Sequence, residues 1–369
     1  MSKIYQTFYP NMQPNQTNLK LNIPKPQEMA PDQMAFRRGD DSSLAIEYLE
    51  KGNSILIFDY YHDGILLLKS IHDYLQQKLP NKSFNNQRIY RSKYQQLSNL
   101  LLVEVKNSKL NLKKAPEIGW LERFYPNQSS FLLSFPQVQG LNSSWQWYKN
   151  GIQIPVLRER IHPFYGVYFP TRFEHLILFD EWVKNYKGPK KSAIDVGVGC
   201  GVLSLQLLQS GFEKVYGTDI NPNAIYGLEE VIEQQNLHGK LHLDMANLFG
   251  QWDEPTELIV FNPPWLPAPF DLDGIDEAIY YDQDLFLNFF REARKRLLPN
   301  GKLLLIFSNL AQITKVTKTH PILEEIEKGG RFELVKSYTK TVKAASSKTK
   351  RNAHWRAEEE VELWELSPI

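Results

Sequence analysis

The chain has 369 residues, and 43 lysines and arginines stand against 42 aspartates and glutamates, a formal charge of +1. With 42% hydrophobic and 23% charged residues it has the composition of a soluble globular protein, not of a disordered or fibrous one. Its single cysteine, Cys200, excludes an intramolecular disulfide framework and a multi-cysteine zinc site, and the near-zero charge argues against a strongly basic nucleic-acid binder. The length exceeds the roughly 250–300 residues at which one core stops growing, so two domains are expected. No run approaches the ~20 apolar residues of a membrane-spanning helix. The first residues lack the apolar centre of a secretory signal, so a cytoplasmic protein without membrane contact is expected.

In chain order, Pro10, Pro14, Pro24, Pro26 and Pro31 are too dense for a helix or an inner strand. Residues 1–40 therefore read as a proline-rich arm. Residues 54–60 (SILIFDY) read as a buried strand, 65–79 as a helix from the spacing of Ile65, Leu68, Ile71 and Leu75, and 99–105 as another strand. Residues 41–150 are thus predicted to be an accessory mixed α/β domain. Asn150-Gly151, between Trp145-Gln146-Trp147-Tyr148 and Ile152-Gln153-Ile154, predicts a hairpin.

Residues 151–369 form the second predicted domain, and here strands and helices alternate. Thr171 and Glu174 predict a capping box opening a helix to about residue 187. Strands are expected over 192–196, 214–218, 257–261 and 302–307, and helices over 203–210, from Asn221-Pro222 onward, and over 284–298. Two strand-like runs, 332–336 and 361–366, close the chain. Alternation of this kind predicts a doubly wound parallel sheet.

The segment Asp195-Val196-Gly197-Val198-Gly199-Cys200-Gly201 carries a strand into a glycine-rich turn and then a helix. Its G-x-G-x-G spacing differs from the G-x-G-x-x-G of a dinucleotide site. Val202 and Leu203 stand where a phosphate-cradling loop needs Lys and Ser or Thr. Asp219 ends the next strand, and a carboxylate there suits a diol, because it only accepts hydrogen bonds and can take two. The following expected strand ends before Asn247, and the one after it in Asn262-Pro263-Pro264-Trp265. These positions all fall at the C-terminal ends of successive strands, where open α/β sheets bind ligands. Cys200 reads as a small turn filler, and the eight histidines show no metal-ligand spacing.

This series resembles the class I S-adenosylmethionine-dependent methyltransferases, and within them the small-domain group that includes release-factor glutamine and ribosomal RNA guanine-N2 methyltransferases. The full chain is most similar to bacterial members of undefined substrate, through Ile161–Gly166, Asn262–Ala268 and the tail from His354. The resemblance implies a seven-stranded Rossmann-like sheet and S-adenosylmethionine as cofactor. It implies that Asp195 lies near the methionyl amino group and that Gly197, Gly199 and Gly201 line the cofactor. Asp219 would hold the ribose hydroxyls, Ile220 the adenine face and Asn247 the adenine amino group, while Pro170 and Thr171 lie in a turn over the cofactor. The Asn262-Pro263-Pro264-Trp265 tetrapeptide implies methylation of nitrogen on a planar group. An amide or exocyclic amine nitrogen is a poor nucleophile, because its lone pair is delocalised. The Asn262 side-chain and Pro263 backbone carbonyls can accept its N–H bonds, and Trp265 offers a flat wall.

Three acceptor classes follow. The first is a protein glutamine side chain. The second is an RNA base, for which Lys336, Lys340, Lys343, Lys348, Lys350 and Arg351 could contact phosphates; the alternative for this run is a solvated loop balanced by Glu358, Glu359, Glu360 and Glu362. The third is a small-molecule amine. A degenerate methyltransferase fold that only binds a partner is the non-enzymatic alternative.

Overall fold

In the computed structural model, which describes residues 19–28, 34–79, 84–268, 280–342 and 358–369, the chain divides into two compact units that meet in sequence at Lys149 and Asn150. In the first unit, strands β1 (Met34–Phe36), β2 (Ile55–Ile57) and β3 (Leu101–Lys106) pair in parallel in that order. Strands β4 (Lys109–Leu110) and β5 (Ser130–Ser134) flank β3 in antiparallel pairing. Helices α1 (Ser42–Glu50), α2 (Tyr61–Lys78), α3 (Phe84–Asn99), α4 (Trp120–Phe124) and α5 (Phe135–Asn150) complete it. The helix read over 65–79 starts one turn earlier, at Tyr61. Leu68, Ile71 and Leu75 of the expected stripe are buried, whereas Ile65 and Leu66 are exposed and Leu67 is buried in their place. Residues 34–36, inside the stretch read as an arm, form β1.

The hairpin expected around Asn150-Gly151 does not form. The aromatic run before it belongs to α5, whose buried residues Phe135, Val138, Leu141 and Tyr148 recur at helical spacing. That longer period overrides the short alternation of residues 145–148. Gly151, at φ +67°, lies just past the helix end, a conformation that favours glycine. The chain then makes an antiparallel bridge of Ile152 with Ile161.

The second unit is built on seven strands: β6 (Ser192–Val196), β7 (Lys214–Asp219), β8 (Leu241–Met245), β9 (Thr256–Phe261), β12 (Leu297–Ser308), β13 (Phe332–Thr341) and β14 (Glu360–Pro368). Their spatial order is β8-β7-β6-β9-β12-β14-β13, and β14 alone runs against its neighbours. Two short strands, β10 (Leu266–Pro267) and β11 (Tyr280–Tyr281), pair with each other. Helices α6 (Glu174–Asn185), α7 (Val202–Gln209), α8 (Pro222–Gln235), α9 (Leu285–Arg296), α10 (Leu310–Ile313) and α11 (Pro321–Glu324) connect them. The doubly wound seven-stranded sheet is therefore as expected.

Side chains alternate across a strand, so each central strand feeds two cores. Ala193, Leu258, Val260, Leu304 and Ile306 pack with α6 and α7 residues such as Phe179 and Leu205. Ile194, Val196, Ile259, Phe261 and Leu305 pack with Phe286, Phe289 and Phe290 of α9. Burial of this apolar area on both faces, at roughly 25 cal/mol per Å², holds the sheet flat between helices. The chain order reverses at β6, which has β7 on one side and β9 on the other, and this is the switch point where such sheets open a crevice.

The capping box expected at Thr171 is not made. Helix α6 begins three residues later, with Phe173 at the cap and no side-chain cap bond. Glu174 instead accepts from the Phe173 N–H at 3.2 Å. Arg172 is drawn into an ion pair with Glu359 at 2.6 Å, which keeps this stretch extended until Phe173. Helix α8 starts as read. The Asn221 side-chain Oδ1 accepts from the Asn223 N–H at 3.1 Å, and Pro222 occupies the first turn.

Candidate active site at the strand ends

The registers of the central strands bring the predicted residues to one edge. Val196 lies opposite Thr218 of β7 and Phe261 of β9, and Asp219 lies opposite Met245 of β8. The glycine turn, Asp219-Ile220, Ala246-Asn247 and Asn262 therefore leave the sheet side by side.

Asp195 is buried near the end of β6, at 1% exposure. Its Oδ2 accepts from the Ser204 hydroxyl at 2.7 Å, and Oδ1 has no partner among the described residues. Burial pushes its carboxyl up to about 7; the Ser204 hydrogen bond opposes this and the nearby Asp219 charge adds to it. After it, Gly197, Gly199 and Gly201 all have positive φ. The turn closes through the Val198 N–H on the Thr218 carbonyl and the Gly201 N–H on the Val198 carbonyl, both at 2.8 Å. Gly201 admits no side chain, because a Cβ there would lie 2.4 Å from Leu228 Cδ2 of α8. The Gly199 N–H donates to Asp219 Oδ2 at 2.8 Å, so the turn and the second carboxylate are tied together.

Asp219 also accepts from the Asn221 N–H through Oδ1 at 2.8 Å. Ile220 next to it is 57% exposed and Met245 47%, an apolar floor at an edge made otherwise of polar groups. Asn247 lies two residues beyond β8. The Ala246 N–H donates to the Asp219 carbonyl at 2.9 Å, and the Gly250 N–H to the Asn247 carbonyl at 3.3 Å.

The segment before α6 is fastened to the start of α8. Asn221 donates through Nδ2 to the Gly166 carbonyl at 2.9 Å. The fully buried Asn223 donates through Nδ2 to the carbonyls of Tyr165 at 2.7 Å and Asn22 at 2.9 Å, and its Oδ1 accepts from the Asn22 N–H at 2.8 Å. This brings the Tyr168 carbonyl within 3.8 Å of the place a Gly199 Cβ would occupy. Pro170 is buried two residues on; Thr171 is exposed.

At the end of β9, Asn262 is half-buried and Pro263 buried. The Trp265 indole N–H donates to Asn262 Oδ1 at 3.1 Å. The Trp265 ring is half-buried and packs against both cores, and His175 of α6 stands edge-on to it at 5.7 Å and 90°. The segment that follows is described through Ala268 and again from Tyr280, and the Ala268 N–H donates to the Tyr281 carbonyl at 2.8 Å.

The sequence model of the family described as methyltransferase small domain matches residues 177–336, from α6 into β13. This match and the likenesses below support a class I S-adenosylmethionine-dependent methyltransferase.

The methyltransferase is similar to a protein of Methanocaldococcus jannaschii named "Putative protein N5-glutamine methyltransferase", with 26% identity over 192 residues, 50% of this chain and 92% of that one. It is also 22% identical to the ribosomal protein L11 methyltransferase of Anoxybacillus flavithermus over 244 residues, 60% of this chain and 66% of that one. A solved structure of the ribosomal protein L11 methylase from Lactobacillus delbrueckii subsp. bulgaricus aligns with a TM-score of 0.37 and 17% identity, covering 57% of this chain and 84% of that one.

The strand edge fits S-adenosylmethionine. Asp195 has a buried oxygen with no partner among the described residues, which suits a cation; Gly197, Gly199 and Gly201 carry no side chain; Asp219 offers an acceptor-only carboxylate to a diol; and Ile220 and Met245 offer apolar surface to a base.

Reading the sequence missed Ser204, which holds the Asp195 carboxyl, and Asn223, which holds the segment before α6. Asn223 carries no signal, because its two partners, at residues 22 and 165, come near only in the fold. Ser204 could have been found, since a hydroxyl in the first turn of an otherwise apolar helix has few partners besides the preceding strand. Cys200 stays out of the chemistry: burial pushes its thiol up to about 12. Of the basic run, Lys340 is paired with Glu181 at 2.9 Å and Lys336 lies over the Tyr338 ring at 4.8 Å. Lys343, Lys348, Lys350 and Arg351 fall outside the described residues. The acids expected to balance that run have other partners: Glu359 pairs with Arg172, and Glu362 with His320 at 3.0 Å.

Proposed function

We propose that this methyltransferase transfers a methyl group to the side-chain nitrogen of a protein glutamine. The observation that carries this reading is Asn262-Pro263-Pro264-Trp265 at the end of β9, the strand beside the one that leads into the glycine turn. The likeness to the archaeal protein named for glutamine methylation, over 92% of that protein's length, supports it.

When bound, S-adenosylmethionine supplies an electrophilic methyl group on a sulfonium. Asp195 would face the cationic methionyl end, and the Gly197-to-Gly201 turn would let the backbone approach. Asp219 would take both ribose hydroxyls. Ile220 and Asn247 would take the face and the amino group of the base, while Pro170 and Thr171 would lie over the site. Asn262 Oδ1 has one lone pair engaged by the Trp265 N–H and one free for an N–H of the acceptor; the Pro263 carbonyl takes the other N–H. Held by both bonds, the carboxamide nitrogen turns its lone pair toward the methyl group. Methylation there would require the nitrogen to lose one proton, which would pass to solvent water. Alignment of this kind supplies most of the acceleration without a dedicated base.

Residues 151–369 would act as the methyltransferase domain and residues 41–150 as an accessory domain that recognises a macromolecular acceptor, with residues 1–40 as its lead. The protein would work in the cytoplasm, on a protein partner.

The test is transfer of a tritiated methyl group into extract of cells that lack the protein, followed by separate protease and nuclease digestion. Label released by protease and retained after nuclease is expected. Label released by nuclease alone would assign an RNA base instead, and label already in the small-molecule fraction would assign a small amine.

A further inference from the structure

An asparagine carboxamide is nearly symmetric in shape, but half a turn about its last bond exchanges an acceptor oxygen for a donor NH2. A site that relies on Asn262 to accept a hydrogen bond from an incoming N–H must keep the oxygen in place. A flipped amide would set donor against donor.

The bond from the Trp265 N–H to Asn262 Oδ1, at 3.1 Å, removes that freedom, because a flip would also set the indole N–H against NH2. The indole has no other hydrogen-bonding atom, so the restraint is only as good as the position of the ring. Trp265 sits at the sheet end, where the two cores meet, and is only half-buried. His175, in the first turn of α6, makes a close ring contact with it, edge-on at 5.7 Å and 90°. Edge-to-face ring pairs are favourable beyond area burial, and their geometry is directional. His175 is 6% exposed, and burial holds its imidazole down to about 4, so the contact is between two uncharged rings at neutral pH.

We propose that His175 is a positioning residue for the methyl acceptor: its imidazole fixes the Trp265 indole, and the indole N–H fixes the Asn262 carboxamide with its oxygen as the acceptor-binding atom. This rests on the reading of Asn262 as the group that receives the acceptor nitrogen.

The experiment uses the full chain as wild type, His175→Ala, His175→Phe and Trp265→Phe. Three quantities are measured: the initial rate of tritiated methyl incorporation into the extract described above, the calorimetric affinity for S-adenosylmethionine, and the solvent exchange of the Trp265 indole N–H in ¹⁵N spectra. His175→Ala should lower the rate tenfold or more and speed indole exchange tenfold or more, with cofactor affinity within twofold of wild type. His175→Phe, which keeps an edge-on ring, should recover most of the lost rate and protection. Trp265→Phe, which keeps a ring and removes the N–H, should lose rate as His175→Ala does.

Wild-type rate and exchange in His175→Ala would overturn the proposal. So would a rate loss matched by an equal loss of cofactor affinity, or one that His175→Phe does not recover. Should His175→Ala fail to fold, a wild-type rate in Trp265→Phe would overturn it. A wild-type protein that labels only nucleic acid would sink the glutamine reading, while indole exchange would still decide whether His175 holds Trp265.

Discussion

Two carboxylates tied to the same glycine turn have divided their properties. Asp219 is satisfied by two backbone N–H groups at 2.8 Å, whereas Asp195 is buried with one oxygen unpartnered and is pushed up to about 7. The sign of the consequence follows from linkage. Below the ordinary value of 3.8, Asp195 is protonated folded or unfolded. Between 3.8 and about 7 the unfolded chain ionises first, so this residue's contribution to stability falls as pH rises and is gone above the folded value. A bound cation favours the ionised carboxylate and draws the pKa back down. Binding of S-adenosylmethionine should therefore release a proton and tighten as pH rises from 6 toward 7. Calorimetry in two buffers of different ionisation heat measures that proton, and Asp195→Asn should abolish it. Equal proton release in that variant would assign it to another group.

At the scale of single elements, the turn between β6 and α7 is the most constrained. Gly201 combines φ +80° with a Leu228 methyl 2.4 Å from any added Cβ. Gly201→Ala should cost about 1–3 kcal/mol, the range for backbone held in such a conformation, and lower the melting temperature by several degrees. An unchanged melting temperature would mean that the turn relaxes freely. Elements of this kind were legible because their signals are local: the strand at 192–196, the Asn221-Pro222 helix start and the Asn262 tetrapeptide each depend on neighbours in sequence. Where local signals misled, a partner distant in sequence or a longer period had decided the matter. Thr171 and Glu174 spell a capping box, yet Arg172 is held by Glu359 from the other end of the chain, and the helix starts later. Asn150-Gly151 spells a hairpin, yet the helical period reaching back to Phe135 prevails.

At the scale of the whole molecule, the overall charge of +1 conceals different local arrangements. Lys340 is committed to Glu181 within the methyltransferase unit, so at least one cation of the basic run serves the fold. The contact of His175 with the Asn262–Trp265 pair was not legible, because it forms only once α6 packs beside the end of β9. The central claim is that this edge methylates a carboxamide nitrogen. Mass spectrometry of acceptor protein treated with wild-type enzyme and S-adenosylmethionine tests it most directly, with Asn262→Ala as the comparison. The account predicts a single added methyl on a glutamine side chain with the wild type, and its loss in Asn262→Ala while cofactor affinity is retained. A methyl group on a lysine or a chain-terminal amine, or an undiminished yield from Asn262→Ala, would contradict it.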